Sequence, residues 1–189
     1  MDKYYKRISQ FLVKNGAINV VDEVLYEYAM RIVSQASISI MVSILIGMVF
    51  SMVKECIAFL IAFLILRKFS GGIHAHDFLH CLISSIVLII VSLLLIRFFI
   101  MRSLSIFFLI LMVISVIVIA KLSPIENDNK RLSTKETRIF KIISIIVTFC
   151  LCGISTYLFW IENDIAYSLG MSIIATSFLM ILAYLKIKF

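Results

Sequence analysis

A chain of 189 residues that is 62% hydrophobic, with a mean hydropathy of +1.11, carries more apolar surface than a soluble domain of that size can bury. Its net charge of +7 arises from 18 Lys and Arg against 11 Asp and Glu. The cations are scattered over short connections, which speaks against a nucleic-acid binder and for contact with anionic headgroups of the lipid bilayer. What remains is one all-α, polytopic membrane domain over residues 1–189, with no room for a second, soluble domain.

The first predicted element is a basic amphipathic helix over residues 3–14. Tyr4, Tyr5, Ile8, Phe11 and Leu12 share one face, Lys3, Lys6, Arg7 and Lys14 mostly take the other, and Asn15-Gly16 ends it. Residues 1–16 lack the continuous apolar run and cleavage site expected of a signal peptide. A second amphipathic stretch sets Val20, Val21, Val24, Leu25 and Tyr28 against Asp22, Glu23 and Glu27. Region 1–30 is therefore expected to form helices that lie at the membrane interface or pack on the protein's own cytoplasmic face.

A spanning helix needs about 20 residues. Six candidates follow, at 32–53, 56–66, 82–96, 104–120, 142–160 and 165–185. The second is short, and the third gains adequate length only if it starts near Phe78. If neither crosses fully, four full spans remain. The polar pair Lys54-Glu55 separates the first two candidates, and 121–141 is the one sizeable polar loop. Pro124 ends the helix before that loop, and Ser133-Thr134-Lys135-Glu136 is a capping-box pattern that starts the helix after it. With both termini inside and six crossings, only Lys54, Arg97 and Arg102 of the 18 Lys and Arg fall outside, as the positive-inside rule requires. The same charge bias puts loop 121–141, and the mouth of the segment described next, on the cytoplasmic side of a plasma membrane.

That segment, 67–85, runs Arg67-Lys68-Phe69-Ser70-Gly71-Gly72-Ile73-His74-Ala75-His76-Asp77-Phe78-Leu79-His80-Cys81-Leu82-Ile83-Ser84-Ser85. It holds all three histidines, one of the four cysteines and a Gly-Gly pair between two apolar helices. Ionisable groups at membrane depth are costly, so they mark a candidate site. An imidazole can take the proton of a thiol and leave the nucleophilic thiolate. His74 and Cys81 are seven residues apart, two helical turns, with Asp77 between them on the same face as a candidate third group. Two turns is about 10.5 Å along a straight helix, and helical side chains lean toward the N-terminus. A Cys–His contact therefore calls for a break, which Gly71-Gly72 supplies, with His74 in a non-helical stretch folded over the start of the Cys81 helix. The two glycines read equally as a turn or as N–H donors to an oxyanion. Arg67 reads as an interface anchor in preference to a binder of substrate carboxylate. Cys56, Cys150 and Cys152 read as small membrane-core residues.

The pattern Arg67-x-x-x-Gly71-Gly72-x-His74-Ala75, followed by Cys81 and Ser85, resembles the signature of the AgrB family, the accessory gene regulator B membrane peptidases of bacterial quorum sensing. Chain length, the basic amphipathic start and the Pro-Ile-Glu-Asn-Asp-Asn-Lys-Arg-Leu run from Pro124 are similar to that family as well, so the resemblance covers essentially the whole chain. It implies a cysteine endopeptidase, with Cys81 as nucleophile and His74 as base, that needs no cofactor. It implies as substrate an AgrD-like propeptide with an amphipathic leader, a short core and an acidic tail, which the +7 charge suits. The tail would be cleaved, leaving an acyl-enzyme thioester from which the core closes into a cyclic thiolactone or lactone. Asp77 stays a geometric candidate that the family does not supply, and a homodimer is left open. The rival readings are a metal or small-solute transporter using His76 and His80, which have i,i+4 spacing but no further histidine to join them, and a non-catalytic membrane interaction protein.

Overall fold

A computed structural model describes residues 2–71, 78–102, 105–125 and 134–188. They form seven α-helices: α1 Asp2–Lys14, α2 Glu23–Val49, α3 Val53–Ser70, α4 Phe78–Arg102, α5 Ser105–Leu122, α6 Thr134–Trp160 and α7 Ile165–Lys188. Five helical stretches among the described residues are long and apolar enough to cross a membrane: Val20–Val49, Leu82–Arg102, Ser105–Leu122, Lys135–Trp160 and Ile165–Leu185. The chain is thus a multi-pass helical membrane protein. The sixth expected span is α3, an unbroken helix of 18 residues with Lys54 and Glu55 in its first turn and Arg67 and Lys68 in its last. Those end charges, rather than its length, set it apart from the other five.

The chain divides into two compact units, Met1–Val42 and Ser43–Phe189. In the first, α1 ends where Gly16 turns to φ +68, its N–H bonded to Val13 O at 3.0 Å and that of Ala17 to Leu12 O at 3.0 Å. This is the Schellman closure that the Asn15-Gly16 pair predicts. Ser9, fully buried, donates to Lys6 O at 3.0 Å and lies 3.4 Å from the Glu23 carboxylate, so α1 touches the start of α2 through its polar side. Tyr4, Ile8 and Phe11 remain exposed. The second amphipathic stretch is not a separate interfacial helix, as the sequence suggested. After a 3₁₀ turn at Val20–Asp22 it runs straight on as the beginning of α2. No Gly or Pro stands between Gly16 and Gly47, and the Glu27–Arg31 pair, 3.6 Å apart at i,i+4, covers the polar stretch where a break was expected.

In the second unit α7 is the central helix, with α3, α4, α5 and α6 packed around it. Of its most apolar stretch 61% is buried, against 11–28% in the other four candidate spans. Its small residues explain this. Ala166, Ser168, Ser172, Ala175, Thr176 and Ala183 are all buried, and helices approach closely where side chains are small. Two of the buried hydroxyls are satisfied within the helix, Ser172 donating to Leu169 O at 2.6 Å and Thr176 to Ser172 O at 2.7 Å, while that of Ser168 has no partner among the described residues. On α5 the buried residues Phe108, Met112, Ser115, Val116 and Ile119 form one helical stripe, while Ile106, Ile110, Val113, Ile114 and Ile117 are exposed. So broad an unpartnered aliphatic face is the mark of lipid contact.

The core has two apolar clusters. One joins Met52, Cys56, Phe59, Leu93, Phe99, Phe108, Tyr167 and Met171. The other joins Leu66, Met112, Val116, Ile119, Ile125, Ile173 and Met180. Two turns between helices close without glycine. Ser51 (φ +56) ends α2 and Glu162 (φ +57) ends α6, each in a Schellman pattern completed by Met52 N–H to Gly47 O at 2.8 Å and Asn163 N–H to Leu158 O at 3.0 Å. Cys56 is buried as expected, its thiol donating to Ser43 O at 3.3 Å. Cys150 does not belong to the core: it is exposed on α6, and Cys152 is half-buried.

Candidate functional site

The candidate segment begins in the last turn of α3. That helix buries one face, Cys56, Phe59, Ala62, Leu66 and Ser70, and Arg67 and Lys68 fall beside it. Both cations sit at the helix C-terminus, where the macrodipole favours them. Lys68 is exposed, with its ammonium 5.7 Å above the Phe69 ring, and Arg67 is half-buried.

At Gly71 the chain leaves the helix with φ +75 and ψ −163, a combination open essentially to glycine alone. Gly71 forms a parallel bridge with Ile125, and a Cβ there would overlap the Ile125 carbonyl oxygen. The residue is therefore required by backbone geometry and close approach. One residue earlier, Ser70 accepts at its carbonyl from Ile125 N–H at 3.1 Å, while its hydroxyl pairs with the Ser144 hydroxyl at 3.1 Å. Both serines are fully buried. Phe69 packs its ring 6.2 Å from that of Phe140, one turn before Ser144 on α6.

Across the segment the chain resumes as α4. Cys81 is the fourth residue of that helix, Phe78–Arg102, and directly precedes the apolar stretch Leu82–Arg102. The first turn of a helix carries partial positive charge, which favours an anion such as a thiolate. Ser85, half-buried, stands four residues on in the same helix. Gly72, His74, His76 and Asp77 lie outside the described residues, as do the side chains of His80 and Cys81. The expected contact between His74 and Cys81 lies there with them.

Ser70, Ile125 and Ser144 were not among the residues singled out from sequence. A signal for Ser144 was present. With Thr148 and Ser155 it forms a polar row at positions i, i+4 and i+11 of the otherwise apolar α6, and all three are buried. Polar side chains on a membrane helix turn toward the protein interior.

A family model for accessory gene regulator B (AgrB) matches residues 5–183. The chain belongs to the AgrB family. No curated protein and no solved structure matched it. The AgrB match takes in nearly the whole chain, including Arg67, Gly71, Gly72, His74, Asp77, Cys81 and Ser85 as well as Ile125 and Ser144. AgrB membership implies a propeptide substrate and a membrane setting, and the five long apolar helices agree with the second.

Proposed function

We propose that the protein is a membrane cysteine endopeptidase that removes the C-terminal tail of a quorum-sensing propeptide and cyclises the remainder. The observation that carries this reading is the Gly71-Gly72-x-His74 and Cys81 pattern, running from the end of α3 into the start of α4, within a nearly whole-chain AgrB match. His74 takes the Cys81 proton, and the thiolate attacks the carbonyl joining core to tail. The tetrahedral oxyanion collapses, the C–N bond breaks, and the tail leaves as an amine carrying the proton from His74. A thioester to Cys81 remains. A nucleophile of the core then attacks the thioester carbonyl, forming the ring and returning Cys81 as its thiol. The thioester keeps the carbonyl activated, so ring closure needs no separate energy input.

The N–H groups of the Gly71-Gly72 pair are the candidate oxyanion donors. Asp77 orients His74, and Arg67 anchors the end of α3 at the interface. The site opens to the cytoplasm, where a newly made propeptide with an acidic tail meets the basic face of the protein. Co-expression with the propeptide and mass analysis of the products tests the reading. It predicts a free tail and a cyclic core, both absent in Cys81→Ala. Chelator-sensitive transport with intact propeptide would instead favour the His76 and His80 transporter.

A further inference from the structure

The helices on either side of the candidate segment, α3 and α4, both pack on α7, and the end of α3 is in addition fastened to the α5–α6 connection and to α6. His74 lies only three residues beyond Gly71, a reach of about 10 Å even when fully extended. Whatever fixes Gly71 therefore limits where His74 can stand relative to Cys81.

We propose that Ile125 and Ser144 are positioning residues of the peptidase site, bracing the end of α3 so that His74 meets Cys81 in register. This rests on the peptidase reading of those two residues. Three contacts make the brace. Ile125 N–H donates to Ser70 O at 3.1 Å, the Ser70 and Ser144 hydroxyls pair at 3.1 Å, and the backbones of Gly71 and Ile125 bridge so closely that a side chain at Gly71 finds no room. The hydroxyl pair is fully buried, so loss of one partner leaves the other with no water to bond. The brace differs from general support of the bundle. The other end of α3 is already packed by Cys56 and Phe59 in a separate apolar cluster, and α6 and α7 are joined independently where Ser155 donates to Ala166 O at 2.8 Å. The start of the polar loop 121–141 thereby gains a purpose, since Ile125 within it grips the end of α3.

The test uses the full chain in membranes with its propeptide substrate. Cleavage kinetics are measured beside the rate at which iodoacetamide alkylates Cys81 at neutral pH, read at that residue by peptide mass spectrometry. In Ser144→Ala, kcat should fall about tenfold with KM little changed, because a small misplacement of a reacting group costs rate more than binding. Gly71→Ala should lose more, and in both variants Cys81 alkylation should slow toward the rate in His74→Ala. Ser155→Ala, which removes a buried hydroxyl elsewhere in the bundle, should keep native kcat. Native kcat and alkylation in Ser144→Ala and Gly71→Ala would overturn the brace, as would an equal loss in Ser155→Ala. Cleavage that survives in Cys81→Ala would overturn the peptidase reading itself, and the brace with it.

Discussion

At Gly170 the central helix comes so close to α5 that an added Cβ would stand 2.5 Å from Phe108 Cε1 and 2.9 Å from its Cζ. The ring cannot swing aside. Phe108 is fully buried, with ring centroids of Phe99, Phe159 and Tyr167 at 5.0, 5.7 and 5.1 Å, all edge-on. Gly170→Ala should therefore destabilise the fold by about 1–3 kcal/mol, the usual cost of overpacking. Thermal unfolding in detergent checks this, and an unchanged midpoint would mean that α5 and α7 are less tightly apposed. A second prediction at this scale concerns the histidines. Only His74 fits both the Cys81 face and the family pattern, so His74→Ala should lower propeptide cleavage by about a hundredfold or more, the usual share of a general base. His76→Ala and His80→Ala should stay near native. The reverse order of effects, measured as released tail, would favour a role for His76 and His80 as metal ligands.

Among the elements, α2 is the one that differs most from its sequence expectation. A single helix over Glu23–Val49 should show continuous amide-exchange protection through Tyr28–Ile32, whereas a surface helix joined to a separate span would exchange fast there. The reason it was hard to see is local. An amphipathic pattern followed by an apolar one looks like two helices, yet nothing in the backbone chemistry between Glu23 and Val49 breaks the run. Helix ends marked by Gly16 and Pro124 were legible, because those residues act through their own φ angle or missing N–H. The ends at Ser51 and Glu162 were not, since each pays a left-handed φ without a glycine to announce it. The site divides in the same way. Gly71, His74 and Cys81 stand out by residue type and spacing within one short segment. Ile125 and Ser144 act from 54 and 73 residues beyond Gly71, and no local pattern reports such a pairing.

For the whole molecule, the decisive question is how many times the chain crosses. The five long apolar helices alone would leave the termini on opposite sides, and α3 as a sixth crossing returns both to the same side. At 1.5 Å per residue its 18 residues reach about 27 Å, close to the hydrocarbon thickness, with charged residues at each end to meet the interfaces. Six crossings also leave only Lys54, Arg97 and Arg102 outside. Both termini and loop 121–141 should therefore be cytoplasmic. Lys130→Cys in a cysteine-free background should resist an impermeant thiol reagent in intact cells, and labelling from outside would reject this topology. The central claim, that Cys81 is the nucleophile, is tested most directly by trapping its acyl-enzyme. With the core's own nucleophile removed from the propeptide, ring closure should stall. Intact-protein mass spectrometry should then find a hydroxylamine-sensitive adduct of leader plus core on Cys81, absent in Cys81→Ala. An adduct on Cys56, Cys150 or Cys152, or tail release that persists in Cys81→Ala, would contradict the account.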